Sequence, residues 1–322
     1  MLRALPVLTV ALLVAALTAS SRPATRTTAT RVPRFGHVFL IIGENTSYEQ
    51  LTATRTPYLV GTLRPRSAWL TGYRALPRTK SLGEYIAMTS GQFIHCQALD
   101  HLPIRCHQRI DNVFHQLSAR GRSWNAYLES MVNPCDVVDH GTTWSANKYA
   151  AHHNPVLYYD NLEGATYDDA VKPAAACVAR DLPMGTSLAP GDTSALDAAL
   201  AAGRVGDLTL IVPDDCENGH DLCAGHKDPV RAFDGFLARE VPKIEASPAF
   251  ADGTLIITWD EGGDPPQQPE HVLTVVAGPH VAAGTSAARY DHYSLLRTLE
   301  DGFRLPALRR ARTAHPFAGI WR

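Results

Sequence analysis

The chain has 322 residues, 45% of them hydrophobic and 19% charged, a mixture that supplies one sizeable core and excludes a fibrous or disordered protein. Lys and Arg number 30 against 32 Asp and Glu, a net charge of -2 with no basic cluster, so the electrostatic footprint of a nucleic-acid binder is absent.

In chain order, Arg3, the apolar run 4–17 and the small residues that follow predict a secretory signal over residues 1–20. The run is too short for a spanning helix, so no stable membrane insertion is expected. Residues 21–34, rich in Thr, Arg, Ala and Pro, predict a disordered lead-in, and 35–322 a single domain. HVFLII (37–42) reads as a buried strand that runs through Gly43 into Glu44 and Asn45. TKSLGEYIAMTSG (79–91) holds a helix opened by Ser81, and NVFHQLSARG (112–121) a second one, with Val113, Phe114 and Leu117 on one face and Gly121 placed to stop it. Residues 133–190 lack a strong period and are expected to form loops over the sheet edge. A short Ala-rich helix near 195–202, a strand LTLIV (208–212) and a helix over 229–244 come next. TLIITW (254–259) predicts a strand that ends in Asp260, Glu261, Gly262 and Gly263. Pro265, Pro266 and Pro269 around two glutamines predict a stiff surface loop, and VLTVVAG (272–278) a last strand. Short continuous apolar runs are the pattern of parallel strands buried on both faces, and their alternation with helices predicts an α/β fold with helices on both sides of a mostly parallel sheet.

The exported portion carries six cysteines, an even count that predicts disulfides in an oxidising compartment. Neighbouring pairs, Cys96–Cys106, Cys135–Cys177 and Cys216–Cys223, are the simplest pattern. A zinc cluster is the weaker reading, because no C-x2-C doublet occurs.

Ligands of open α/β sheets gather beyond the carboxyl ends of the strands. Glu44, Asn45, Asp260 and Glu261 follow two such ends and together make an oxygen-rich site suited to a divalent metal ion, whereas either pair alone reads equally as a cap or a solvated turn. Ser81 with Glu84 three residues on is a capping box on its face; the same helix N-terminus could instead present Ser81 to a phosphate. His152 and His153 before Asn154, His220 before Asp221 and His292 after Asp291 are candidates to bind phosphoryl oxygens, complete a second metal site or protonate a leaving group. His95, His101, His107, His115 and His140 have no such context.

The segments HVFLIIGEN, SLGEYIAMTSG, GRSWNAYLESM (121–131), HHNPVLYY (152–159), CENGHD (216–221), TWDEGG and DHYSLLRTLED (291–301), in this order, resemble the phosphoesterase family of secreted acid phosphatases and phospholipase C enzymes within the alkaline-phosphatase superfamily. The chain also resembles the mycobacterial secreted acid phosphatase branch. The resemblance implies an alkaline-phosphatase-like three-layer sandwich and one or two divalent metal ions held by Glu44, Asn45, Ser81, Asp260 and Glu261. It further implies that Ser81 is a nucleophile passing through phosphoserine, and that His153, His220 and His292 contact the phosphoryl group or the leaving oxygen. The family's nucleophile segment often reads His-Pro-Ser-Leu-Pro-Asn-Tyr; Thr79, Lys80, Gly83 and Glu84 depart from it, which keeps Thr79 as a second-choice nucleophile. Small phosphate monoesters are the expected substrates, with phosphodiesters such as phospholipid or phosphoinositide headgroups as the alternative. A secreted metal- or phosphate-binding protein without activity is the non-enzymatic reading. A sulfatase would need C/S-x-P-x-R at the nucleophile, and SLGEY lacks both the Pro and the Arg.

Overall fold

Among the described residues eight segments pair into one sheet: β1 (His37–Gly43), β2 (Ala68–Leu70), β3 (Trp124–Leu128), β4 (Asp181–Pro183), β5 (Leu208–Val212), β6 (Gly253–Trp259), β7 (Thr274–Ala277) and β8 (Gly284–Ser286). Their order across the sheet is β8-β2-β7-β6-β1-β5-β3-β4. A computed structural model of the chain describes Met1 and residues 31–94, 96, 99–142, 144–163, 173–225, 227–263 and 270–322. The expected leader past Met1, most of the lead-in and the proline loop (264–269) lie outside the described residues.

In β1 every residue after His37 is buried, and β5 and β6 are buried throughout. Successive strand side chains point to opposite faces, so both faces must be covered, as the unbroken apolar runs require. Five long helices provide the cover: α1 (Ser81–Ser90), α2 (Val113–Ala119), α3 (Ser194–Ala201), α4 (Pro229–Ala246) and α5 (His292–Phe303). α1 packs on α2 and α5, and α3 on α4. The result is the expected three-layer α/β sandwich. Its helix starts follow capping chemistry. Asn112 accepts from the His115 N–H at 2.9 Å, Asp291 from Ser294 N–H at 3.0 Å, and Asp228 from Val230 N–H at 3.1 Å, just ahead of Pro229.

Three readings change. The last apolar run does form a strand, but β7 is antiparallel to β6 and β2, a pairing that needs no crossover helix. The region 133–190 contributes more than loops: β4 extends the sheet beyond β3, and two 3-10 turns, Ala151–His153 and Pro155–Tyr158, are packed into the core. The ordered chain also begins before residue 35, because Val32 is 4% exposed and belongs to the main core.

All six cysteines are paired in the expected pattern, Cys96–Cys106, Cys135–Cys177 and Cys216–Cys223. The functional consequence of the topology is simple. β6, β1, β5 and β3 are parallel neighbours, so the residues that follow them, Asp260, Glu44, Asp215 and Glu129, emerge along one edge of the sheet.

Candidate active site

Gly43 allows β1 to turn into the site. A Cβ there would meet Trp259 Nε1 at 2.7 Å and Phe233 Cε1 at 2.8 Å, inside a packed aromatic layer. Asn45 then takes a left-handed conformation (φ 40°), which Asn tolerates better than most residues. Asp260 ties the two strand ends together: its Oδ1 accepts from the Asn45 N–H at 3.3 Å and the Glu261 N–H at 2.7 Å, while its own N–H donates to Gly43 O at 3.1 Å.

Ser81 is the first residue of α1, and the capping reading fails. Lys80 occupies the N-cap without a side-chain bond, and Glu84 accepts from the Leu76 N–H at 2.9 Å instead of reaching back to the helix start. The Ser81 hydroxyl points into the carboxylates, 2.6 Å from Glu44 Oε1 and 3.0 Å from Glu261 Oε1. Its one hydrogen serves the nearer oxygen. Thr79 sits two residues away on the exposed side and donates to Lys80 O at 3.1 Å.

Glu44, Asp260 and Glu261 are 2%, 0% and 7% exposed, and each offers an oxygen within 4.8 Å of the others. Burial, reinforced by mutual repulsion, pushes Asp260 well above the ordinary carboxylate range and Glu261 up to about 8. Burial works against ionised Glu44 too, but the charge of His153 and hydrogen bonds outweigh it and hold that carboxyl at about 2. Three buried carboxylates packed this closely fit a cation. Asp260 Oδ2 is buried with no hydrogen bond donated to it by the described residues, and Glu44 Oε2 has the His153 ring at 3.1 Å as its neighbour. One end of the Asn45 carboxamide lies 3.0 Å from both Glu44 Oε1 and Glu261 Oε1: the amide nitrogen would donate there without an ion, and the amide oxygen would turn in as a ligand around one. With Ser81 Oγ this donor set is entirely oxygen, the preference of a hard divalent cation.

The three histidines are placed differently. His153 is 4% exposed; its Nε2 pairs with Glu44 Oε2 at 3.1 Å, and its Nδ1 with Asp215 Oδ1 at 3.1 Å. Burial alone would lower its pKa, but Glu44 and Asp215 hold it well above the ordinary value. His220 stands at the partly open rim with Nε2 3.1 Å from the Asn45 amide. Gly219 (φ 113°) seats this loop against β1, where a Cβ would be 2.9 Å from Thr46 Oγ1, and Asn218 O accepts from the Glu44 N–H at 2.8 Å. His292, expected at the phosphoryl group, lies behind the carboxylates. It is fully buried, with Nε2 2.6 Å from Asp260 O and Nδ1 2.8 Å from Tyr73 Oη, so neither nitrogen faces an incoming substrate. Burial pushes its pKa down to about 4, which keeps it neutral and suits it to support the Asp260 backbone.

Asp215, three residues beyond the end of β5 at Val212, is a candidate functional residue that the sequence motifs do not include; it carries the strand-end signal of Glu44 and lies one residue ahead of the CENGHD segment. His107, His115 and His140 form ion pairs with Asp160, Asp111 and Asp136.

With this geometry in hand, comparison places the chain among known proteins. A family model described as the Phosphoesterase family matches residues 61–306. A curated relative, a phosphatidylinositol-3-phosphatase of Mycobacterium tuberculosis (strain ATCC 25618 / H37Rv), is 24% identical over 294 residues, which cover 91% of this chain and 85% of that one. Among solved structures, a protein of the alkaline phosphatase superfamily from Vibrio parahaemolyticus aligns with TM-score 0.59 at 12% identity, covering 91% of this chain and 72% of its own. Murine ectonucleotide pyrophosphatase/phosphodiesterase 5 aligns with TM-score 0.53 at 11% identity, covering 84% of this chain and 96% of its own. At such identities the structural matches speak for the fold alone.

Proposed function

The chain belongs to the phosphoesterase family and is a phosphoric ester hydrolase, and from that premise we propose that it is a secreted, metal-dependent phosphomonoesterase acting through phosphorylated Ser81. The observation that carries this reading is the Ser81 hydroxyl, 2.6 Å from Glu44 Oε1 at the start of a buried helix and aimed into a nest of carboxylates. A divalent cation held by Glu44, Asn45, Asp260 and Glu261 would lower the hydroxyl pKa and offset the negative charge of the phosphoryl oxygens. Glu261, 3.0 Å from the hydroxyl and the more basic of its two carboxylate neighbours, is placed to accept the Ser81 proton. The freed oxygen attacks phosphorus in line, the ester P–O bond breaks, and His220 at the open rim delivers a proton to the departing alkoxide. Water then attacks the phosphoserine on the same axis, releasing inorganic phosphate and returning the hydroxyl. The positive end of α1 favours the anion throughout. His153, whose Nε2 pairs with Glu44 Oε2 at 3.1 Å, would steady that carboxylate beside the phosphoryl group, and His292 holds Asp260 from behind.

The three disulfides favour an oxidising compartment, which supports export. Among the described residues no helix is long and apolar enough to cross a membrane.

A second reading, a phospholipid or phosphoinositide headgroup as the substrate, draws on the rim. Trp144, Leu188 and Leu222 are 88%, 49% and 64% exposed. Their loops are tied together, Asn147 Nδ2 to Leu188 O at 2.9 Å and Ala224 N–H to Ser145 O at 3.3 Å, and Leu222 follows His220 by two residues. The name of the mycobacterial relative describes a lipid phosphomonoester. Hydrolysis of p-nitrophenyl phosphate, bis-p-nitrophenyl phosphate and micellar phosphatidylinositol 3-phosphate, each with defined divalent metals, separates the readings. Turnover of monoesters that disappears in Ser81→Ala supports the proposal. Turnover of the diester alone would replace it.

A further inference from the structure

We propose that Asp215 is a positioning residue for His153, with Lys148 as its anchor, and that this chain of contacts fixes the His153 nitrogen that pairs with Glu44, the carboxylate beside the Ser81 hydroxyl. The inference rests on the reading above, in which Ser81 is the nucleophile. The His153 Nδ1 meets Asp215 Oδ1 at 3.1 Å, and Asp215 Oδ2 meets Lys148 Nζ at 2.7 Å. Lys148 also reaches Asp221 Oδ2 at 2.7 Å, beside His220. Asp215 has no freedom to move: Asn218 Nδ2 donates to its Oδ1 at 3.1 Å, its N–H donates to Lys148 O at 2.9 Å, and its carbonyl accepts from the Asp221 N–H at 3.2 Å.

The need for such a partner is physical. An imidazole turns about its bond to Cβ and exchanges tautomers, and a carboxylate on one nitrogen suppresses both freedoms. The other nitrogen, Nε2, is then held in one place, 3.1 Å from Glu44 Oε2. Here the faces of the ring are closed as well, by Tyr85 at 5.5 Å between centroids and 23° between planes, and by His152 edge-on at 4.2 Å. Asp215 is only 4% exposed, so its charge must be compensated, and Lys148 does so from the half-buried side. One ammonium thus ties the carboxylate behind His153 to the loop carrying His220.

The test is a double-mutant cycle in the full chain with saturating divalent metal, reading kcat and KM on p-nitrophenyl phosphate, bound metal by elemental analysis, and thermal unfolding. Asp215→Asn is expected to lower kcat by about 10²-fold, the scale of a mispositioned acid–base group, with KM within about threefold and metal content unchanged. Combined with His153→Ala it should cost no further activity, because both changes remove one function. Asp215→Glu should recover part of the loss. Multiplicative effects in the double variant, loss of metal in Asp215→Asn, or wild-type kcat in that variant would each overturn the inference. If Asp215→Asn does not fold, Lys148→Met enters the same cycle, with a loss of about tenfold expected and the same non-additivity required. Ser81→Ala separates the two failures: an active Ser81→Ala enzyme removes the underlying mechanism, whereas an inactive one beside a normal Asp215→Asn removes only the role given to Asp215.

Discussion

Asp181, on β4, anchors the turn that carries His153, and its chemistry makes a quantitative prediction. Both its oxygens accept from Asn154 Nδ2, at 3.0 and 2.8 Å, and the side chain is wholly buried with no cation against it. Burial raises its pKa from 3.8 to about 7, more than the Asn154 bonds lower it. The folded protein therefore keeps a proton that the unfolded chain loses above its own pKa. Stability from this group is complete below pH 3.8 and is lost as pH rises through about 7. At about 1.4 kcal/mol per pH unit, the total is at most about 4 kcal/mol. Asp181→Asn removes the titration while retaining one acceptor for Asn154. Urea denaturation at pH 5 and pH 8, metal held constant, should show a smaller fall in stability across this range for the variant, and the variant should be the more stable protein at pH 8. Parallel losses in both proteins, or a variant weaker at pH 8, would refute the reasoning.

Glu44→Gln and Asp260→Asn should lose bound metal and turnover together, because each removes a charged oxygen from one shared site; elemental analysis beside kinetics checks this, and full activity without metal would contradict it. Gly43→Ala should destabilise the fold by about 1–3 kcal/mol, since the added methyl group strikes Trp259 and Phe233 in a packed layer, and thermal unfolding should show it as a lowered midpoint. Intact mass of secreted protein should show removal of an N-terminal segment and a gain of two hydrogens for each of three disulfides on reduction; free thiols in the native protein would contradict the compartment argument.

The parts of this fold that were legible in the sequence share a physical reason. β1 and β6 are seven-residue strands buried on both faces, so their apolar runs were unbroken and the acids that end them stood out. β2, β4 and β8 are three residues each, too short for any period, and they take their places from neighbours already in the sheet. In β3 the buried run is broken by Asn125, which hides it among polar neighbours. The Ser81 question could not be closed from spacing, because cap and nucleophile both belong at a helix start. What favours the nucleophile reading is the pair Glu44 and Glu261, distant in sequence and brought to the hydroxyl by the adjacent strands β1 and β6. His292 teaches the converse. Its neighbours in sequence resembled those of a substrate contact, but the packing of α5 against α1 buries it behind Asp260.

The central claim, that Ser81 carries the phosphoryl group, is tested most directly by trapping. Acid quench during turnover of 32P-labelled monoester, followed by proteolysis and mass spectrometry, should place the label on Ser81 in wild-type enzyme and leave none on Ser81→Ala. Label on Thr79, or a Ser81→Ala enzyme that turns over at the wild-type rate, would contradict the account.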